Sequence, residues 1–427
     1  MSRIIKKSLI LICIYFSLLN PGISFGYENS VYIWQRSWDE HVGESISDLK
    51  TELNKFIILC GDLRYENGKI SINTVDIDWN YFSKGDAEII LAIRINTGTK
   101  ALLKSDSVYQ VIDGLEIILD KAILSTQEQR IKITEVQLDY DCPTSKLADY
   151  GKFLALYKER FPSLKISITA LPTWLNSKEF KKVVKNISYY VLQLHSFEIP
   201  KTMDKAKQIF LKDSASLYVK RAVRLKHPFS ISLPTYGYEV VFDKNGGFLG
   251  LRGEVKRNIL GKDIQYKAVM TDPAKILSFL DDISLSKLDK FLGICWFRMP
   301  LETDEFNWHT ETFKAVLNGY VPHAKFNVKI EKPQPGLYEI YLVNNGNQNI
   351  LRPVEFKISW AKGATPLYDI LGQFQGKTIK FGDGIEISGF PPKVGHEVFV
   401  AWFKYKDEIQ RELPMHVSEV LLHETNN

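Results

Sequence analysis

Eight short apolar runs alternate with amphipathic helical segments between Val31 and about Gly319, the rhythm of a parallel sheet whose strands are joined by crossing helices. The runs read as strands are Val31–Trp38, Phe56–Arg64, Glu88–Asn96, Ile133–Asp141, Lys165–Trp174, Tyr189–Phe197, Pro228–Tyr238 and Leu292–Glu302. Helical periodicity follows most of them, at Ser45–Lys55, Ser107–Ile123, Lys146–Arg160, Lys178–Lys185, Lys205–Arg224 (with an interruption), Pro273–Leu288 and Glu311–Asn318. Repeats of this number close into a barrel, so the expected class is α/β, a (β/α)8 TIM-type barrel over residues 27–319. Two excursions break the rhythm. Asn67-Gly68 is a hairpin signal after the second strand, and Lys244-Asn245-Gly246-Gly247 lies between strand-like runs in Glu239–Met270.

After Tyr320 helical periodicity becomes scarce. Phe326–Glu331, Gly336–Asn344, Val354–Trp360, Thr378–Phe381, Ile385–Gly389 and His396–Phe403 read as short strands, and the stretch beyond Leu413 as a last one. A C-terminal β-sandwich domain over residues 320–427 is the expectation.

The first residues carry a basic start at Arg3, Lys6 and Lys7, an apolar run from Ser8 to Leu19, and a break at Asn20-Pro21-Gly22 before the small residues Ser24 and Gly26. Residues 1–26 are expected to be a signal peptide, with the mature chain periplasmic or extracellular. The run is too short to span a bilayer comfortably, so no stable membrane insertion is expected after cleavage. Loss of Arg3, Lys6 and Lys7 would lower the formal net charge from +5 to +2. With no arginine-rich block and no aromatic RNA-binding signature, nucleic acid is not an expected partner. Cys60, Cys142 and Cys295 remain in the mature chain, without metal-type spacing, and buried unpaired thiols are expected. Nothing demands a metal or an organic cofactor.

The stretch Glu135-Val136-Gln137-Leu138-Asp139-Tyr140-Asp141-Cys142-Pro143 bears most directly on function. Side chains alternate along a strand, so Gln137, Asp139 and Asp141 share one face while Val136, Leu138 and Tyr140 take the other. In a barrel the apolar face meets the helices and the polar row climbs inward toward the C-terminal mouth, where barrel enzymes hold their chemistry. Like-charge proximity would raise one carboxyl so that it stays protonated as an acid, the other remaining ionised. The same alternation places Arg94 and Asn96, Ser167 and Thr169, Gln193 and His195, Ser230 and Ser232, Tyr236, and Trp296 and Arg298 on inward faces. Aromatic residues gather at the same ends: Trp34, Trp38, Trp174, Tyr236, Tyr238 and Trp296. Flat apolar faces beside carboxylates and amides suit a sugar ring. The expected substrate-binding set is therefore Trp34, Arg36, Arg94, Trp174, Gln193, His195, Tyr236, Tyr238, Trp296 and Arg298, with Asp139 and Asp141 as catalytic residues. The competing structural use of the pair is an ion pair with Arg94 or Arg298. Glu302, at the end of its strand, is either a further inward residue or too far along to reach the mouth, and Asp76 and Asp78 read as a solvated loop.

Val136 to Asp141 resembles the fourth-strand acidic signature of family 18 glycoside hydrolases, the chitinase-like barrels. Leu233-Pro234-Thr235-Tyr236-Gly237-Tyr238 is similar to a Pro-x-Tyr-Gly element there, and Gly293 to Arg298 to the strand carrying their sugar-stacking tryptophan. The departures are specific. Aligned on the two aspartates, Pro143 stands where that family places its glutamate acid. With a shift of two, Gln137 replaces the first aspartate. Gln193-x-His195 stands where the chitinases favour Met-x-Tyr-Asp, so their substrate-assisted mechanism is not implied. Trp34-Gln35-Arg36, Asp139-Tyr140-Asp141, Ala170 to Trp174 and Gln193-Leu194-His195 also resemble an uncharacterised family of exported bacterial proteins, a domain of unknown function. The expected function is a glycan-active protein, a glycoside hydrolase with Asp141 as general acid and Asp139 tuning it or stabilising an oxocarbenium-like transition state. The alternative is a non-catalytic carbohydrate-binding protein on the same scaffold.

Overall fold

The computed structural model describes residues 27–422 apart from 67–68, 83–86, 97, 100–102, 104–106, 254–262, 380–382 and 407–413. The expected signal peptide and the Asn67-Gly68 turn lie outside the described residues. The first unit ends at Thr310 and takes back Val316–Tyr320, and the second holds Glu311–Ala315 and the chain from Val321 onward.

The strands of the first unit are β1 Glu28–Ile33, β2 Lys55–Glu66, β3 Lys69–Thr74, β4 Glu88–Ile95, β5 Glu135–Asp139, β6 Lys165–Ala170, β7 Tyr189–Gln193, β8 Phe229–Pro234, β9 Tyr238–Asp243, β10 Phe248–Arg252, β11 Ile264–Val269 and β12 Phe291–Phe297. Parallel pairing runs β1-β12-β8-β7-β6-β5-β4-β2 and returns to β1 through Val31↔Phe56 and Ile33↔Ile58. The eight-stranded parallel barrel is closed. Its strands are buried on both faces, so β4 reads as the near-continuous apolar run Ile89–Ile93, the pattern of a parallel sheet under helices.

Both excursions are β structure. β3 returns antiparallel along β2, and β9 is the middle strand of a three-stranded antiparallel sheet, order β10-β9-β11. The β9–β10 turn is held by Asp243, whose Oδ1 accepts from the backbone N–H groups of Asn245 and Gly247. Gly246 there has φ +81°, a left-handed conformation that glycine adopts without steric cost.

Most barrel strands end earlier than the apolar runs in the sequence, and the surplus residues form the loops of the mouth. The helix Pro273–Ile283 starts where the sequence places it. Asp272 Oδ1 accepts from Ala274 N–H at 2.9 Å and Pro273 fills the first helical position. Asp272→Ala should cost about 1 kcal/mol of unfolding free energy, read as a lowered denaturant midpoint at unchanged slope.

In the second unit, one sheet orders Phe326–Gln334, Leu337–Asn344, Glu397–Lys404 and Leu367–Ile370. Another is built on Val354–Trp360 and Gly384–Gly389, with Met415–Val417 pairing on the first of these. Alternate residues of both sheets, among them Ile340, Leu342, Phe356, Ile358 and Ile387, meet in one apolar cluster. Among the described residues no helix is long and apolar enough to cross a membrane.

Candidate active site at the barrel mouth

The inward faces of the strands build the barrel interior from the base upward. Tyr32, Ile57, Ile90, Ala92, Tyr189, Val191 and Cys295 form its apolar filling. Above them opens a cavity of about 210 Å³, lined by Tyr32, Trp34, Arg94, Asp139, Asp141, Thr169, Gln193, His195, Ser232, Tyr236 and Phe297. Seven of the residues expected from the sequence meet here: Asp139, Asp141, Trp34, Arg94, Gln193, His195 and Tyr236.

Asp139 ends β5 with its side chain 15% exposed. Burial first, and the Asp141 charge second, push its carboxyl up to about 6. The Thr169 hydroxyl, donating to Oδ1 at 2.7 Å, and the Arg94 guanidinium, whose Nε lies 4.0 Å from Oδ2, act against that rise. Asp141 stands at the rim, more open to solvent; its partial desolvation still raises it, with Arg94 opposing. His195 is half-buried and stacks on Phe297, with ring centroids 5.5 Å apart, and desolvation holds its imidazole down at about 4. It is neutral at ordinary pH. His195 Nδ1 and Ser232 Oγ are buried without a hydrogen-bond partner among the described residues, and both residues line the cavity. Such atoms take their partners from ordered water or from a bound molecule.

Five expected residues do not line the cavity. Trp174 is fully buried on the helix side of the barrel, between Tyr150 and Phe180, with its indole N–H donating to the Cys142 carbonyl at 2.9 Å. It sits in the turn Pro172–Asn176 beyond the end of β6, where strand alternation no longer orients side chains. Trp296 also points outward. The register Ser30↔Cys295 and Val31↔Trp296 sends Cys295 inward, and the Trp296 indole donates to Asn29 Oδ1 at 3.0 Å. Tyr238 opens β9 instead of ending β8; it packs in the cluster of Val240 and Phe242, and its hydroxyl donates to the Lys207 carbonyl. Arg36 makes a two-pronged contact with buried Asp62, Nη2 to Oδ1 at 2.8 Å and Nε to Oδ2 at 3.2 Å. Arg298 pairs with Asp304 at 3.2 Å, both side chains 7% exposed. Glu302 meets His309 Nε2 at 3.1 Å, away from the cavity.

Tyr32 and Phe297 belong to the cavity without having been expected there. Tyr32 lies two residues before Trp34, so the same alternation would have found it. Cys60, Cys142 and Cys295 are buried and unpaired, and burial pushes the Cys60 and Cys295 thiols up to about 12.

The two perturbed groups act on stability with opposite signs. Asp139 has a folded midpoint of about 6 against an ordinary 3.8, so its ionised form costs the folded state free energy. That cost is absent below the ordinary midpoint, grows as pH rises between the two values, and is complete above the upper one. The gap corresponds to about 3 kcal/mol at most. His195, neutral in the fold, has the reverse effect: its contribution is lost as pH falls from 6.5 through about 4. Since His195 is common to both proteins, Asp139→Asn should be more stable than wild type by about 1–3 kcal/mol near neutral pH. The difference should shrink toward zero near the ordinary carboxyl midpoint, as measured by denaturant unfolding across pH.

Residues 88–302 match the family model described as a domain of unknown function, DUF3142. No curated protein matches the chain. Among solved structures, the spore cortex-lytic enzyme SleL of Bacillus megaterium is similar at 11% identity, over 69% of this chain and 74% of that one, with a TM-score of 0.48. The C-terminal domain of a putative chitinase from Desulfitobacterium hafniense is similar at 12% identity, over 68% of this chain and 98% of that one, with a TM-score of 0.49. A chitinase from Chromobacterium violaceum is similar at 11% identity, over 69% and 98%, with a TM-score of 0.45. At such values no residue role passes from those proteins to this chain.

Proposed function

The chain belongs to the DUF3142 family, and we propose that it is a glycoside hydrolase acting at the barrel mouth through Asp139 and Asp141. One observation carries the reading: a carboxyl raised to about 6, sharing its cavity with a second carboxyl, aromatic faces and unpartnered polar atoms. Burial makes Asp139 the better proton donor of the pair, the reverse of the roles expected from the sequence. A group with a midpoint near 6 is still substantially protonated at mildly acidic pH and gives its proton readily. Asp141, at the rim beside the Arg94 guanidinium that favours its carboxylate, is the partner that activates water or stabilises an oxocarbenium-like transition state.

Trp34, Tyr236 and Phe297 supply apolar faces, and Gln193, His195 and Ser232 supply hydrogen bonds to hydroxyls. At about 210 Å³ the cavity lies below the roughly 300–1,000 Å³ usual for ligand pockets, which fits one sugar ring with the remainder of a glycan outside. We read the second unit as a β-sandwich and the mature protein as exported, periplasmic or extracellular.

One observation favours binding without turnover: below the two aspartates the polar row continues as the amide Gln137, hydrogen-bonded to Tyr32 and not ionisable. Product release on a panel of bacterial and plant glycans separates the two readings. Hydrolysis supports the enzyme; silence, with a glycan still raising the melting temperature, supports the binding protein.

A further inference from the structure

Below the mouth, the inward row of β5 continues downward through Gln137 to Glu135, about 13 Å from Asp139 along the strand. Glu135 is 3% exposed, at the barrel's base. Two donors converge on its Oε1: the Ser167 hydroxyl at 2.8 Å and the Tyr189 hydroxyl at 2.5 Å. A hydroxyl carries one proton, so Ser167, donating to Glu135, can only accept from the next member of the row. That member is Gln137, whose Nε2 donates to Ser167 Oγ at 3.4 Å. The amide is thereby turned with its oxygen the other way, and Gln137 Oε1 accepts from the Tyr32 hydroxyl at 2.5 Å. Every link donates toward Glu135. The Tyr32 proton is committed inward, and its oxygen lone pairs remain for the cavity that Tyr32 and Asp139 both line.

We propose that Glu135 is a positioning residue: through Ser167 and Gln137 it fixes the direction of the Tyr32 hydroxyl and presents Tyr32 to the mouth as a hydrogen-bond acceptor. A ligand is then required to offer a hydroxyl or N–H donor at that point. This deepens the proposed function, because the donor would belong to the bound sugar, but the orientation itself is measurable without any substrate.

In Glu135→Gln the amide can donate to Ser167, which frees the Ser167 proton for Gln137 Oε1. The Gln137 amide then turns its Nε2 to the Tyr32 oxygen, and the Tyr32 proton swings into the mouth. A new donor beside Asp139 favours its carboxylate. The experiment is a carboxyl carbon-13 NMR titration of Asp139 in the full mature chain. Glu135→Gln should lower the Asp139 midpoint by about 0.5 in pH. Ser167→Ala, which cuts the row while keeping the Glu135 carboxyl, should move it in the same direction and carries the test alone if Glu135→Gln does not fold. Repeating either change in a Tyr32→Phe background should abolish the shift. An unchanged midpoint in folded Ser167→Ala, or a shift that persists without the Tyr32 hydroxyl, would overturn the proposal. Failure to hydrolyse any glycan overturns only the hydrolase reading.

Discussion

Asp139→Asn is expected to lower turnover of the cleaved glycan by about 10²–10⁴-fold, the range that a positioned general acid supplies. Affinity should stay within a few-fold of wild type, because asparagine keeps the shape and the acceptor for Thr169. The wild-type rate should fall as pH rises through about 6, since the donor must carry its proton and burial places the Asp139 midpoint there. Release of reducing ends across pH, beside ligand-induced shifts in melting temperature, measures both. Retained turnover in the variant would remove Asp139 from the chemistry. The same substitution that abolishes activity should stabilise the fold near neutral pH, because it relieves the cost of an ionised carboxyl at a nearly closed site. A residue held only for an ion pair with Arg94 would behave oppositely and destabilise when neutralised, so the two measurements together separate a catalytic from a structural use of the pair.

The barrel was legible because its strands are buried on both faces and its helices on one, giving two distinct apolar periods. The acid row was legible for a related reason: Gln137, Asp139 and Asp141 interrupt an otherwise apolar strand at every second place. Alternation failed where it had nothing to label. Gly293-Ile294-Cys295-Trp296-Phe297 is apolar throughout, so only the pairing with β1 decides that Cys295 and Phe297 face inward and Trp296 outward. It failed again where a strand had already ended. Ala170 closes β6, so Trp174 inherits no orientation from it, and Tyr238 belongs to a new strand in another sheet. Glu135 obeys the same alternation as Asp139, yet it lies at the opposite end of the strand from the mouth and drew no functional expectation.

Trp174→Ala should cost about 3–5 kcal/mol of stability, the range for emptying a large aromatic site in a closed core. The ring is fully buried, with centroids 6.1 Å from Tyr150 and 5.5 Å from Phe180, and truncation leaves a void that these rings fill only in part. It also strips the Cys142 carbonyl of the indole donor at 2.9 Å, and an abandoned buried acceptor adds to the loss. A sugar-stacking tryptophan would give the contrary result, weak binding at nearly unchanged stability, and Trp34 in the mouth is the position where that outcome is expected. Denaturant unfolding of the two alanine variants, beside glycan binding, distinguishes them. A stability loss below about 1 kcal/mol for Trp174→Ala would return it to the expected substrate-binding set. The bond to Cys142 gives this core residue a further consequence, because Cys142 directly follows Asp141 in the chain. The indole fixes the backbone behind the rim carboxylate from outside the barrel, so partial activity in a folded Trp174 variant should be lost through the placement of Asp141 and not through contact with the sugar.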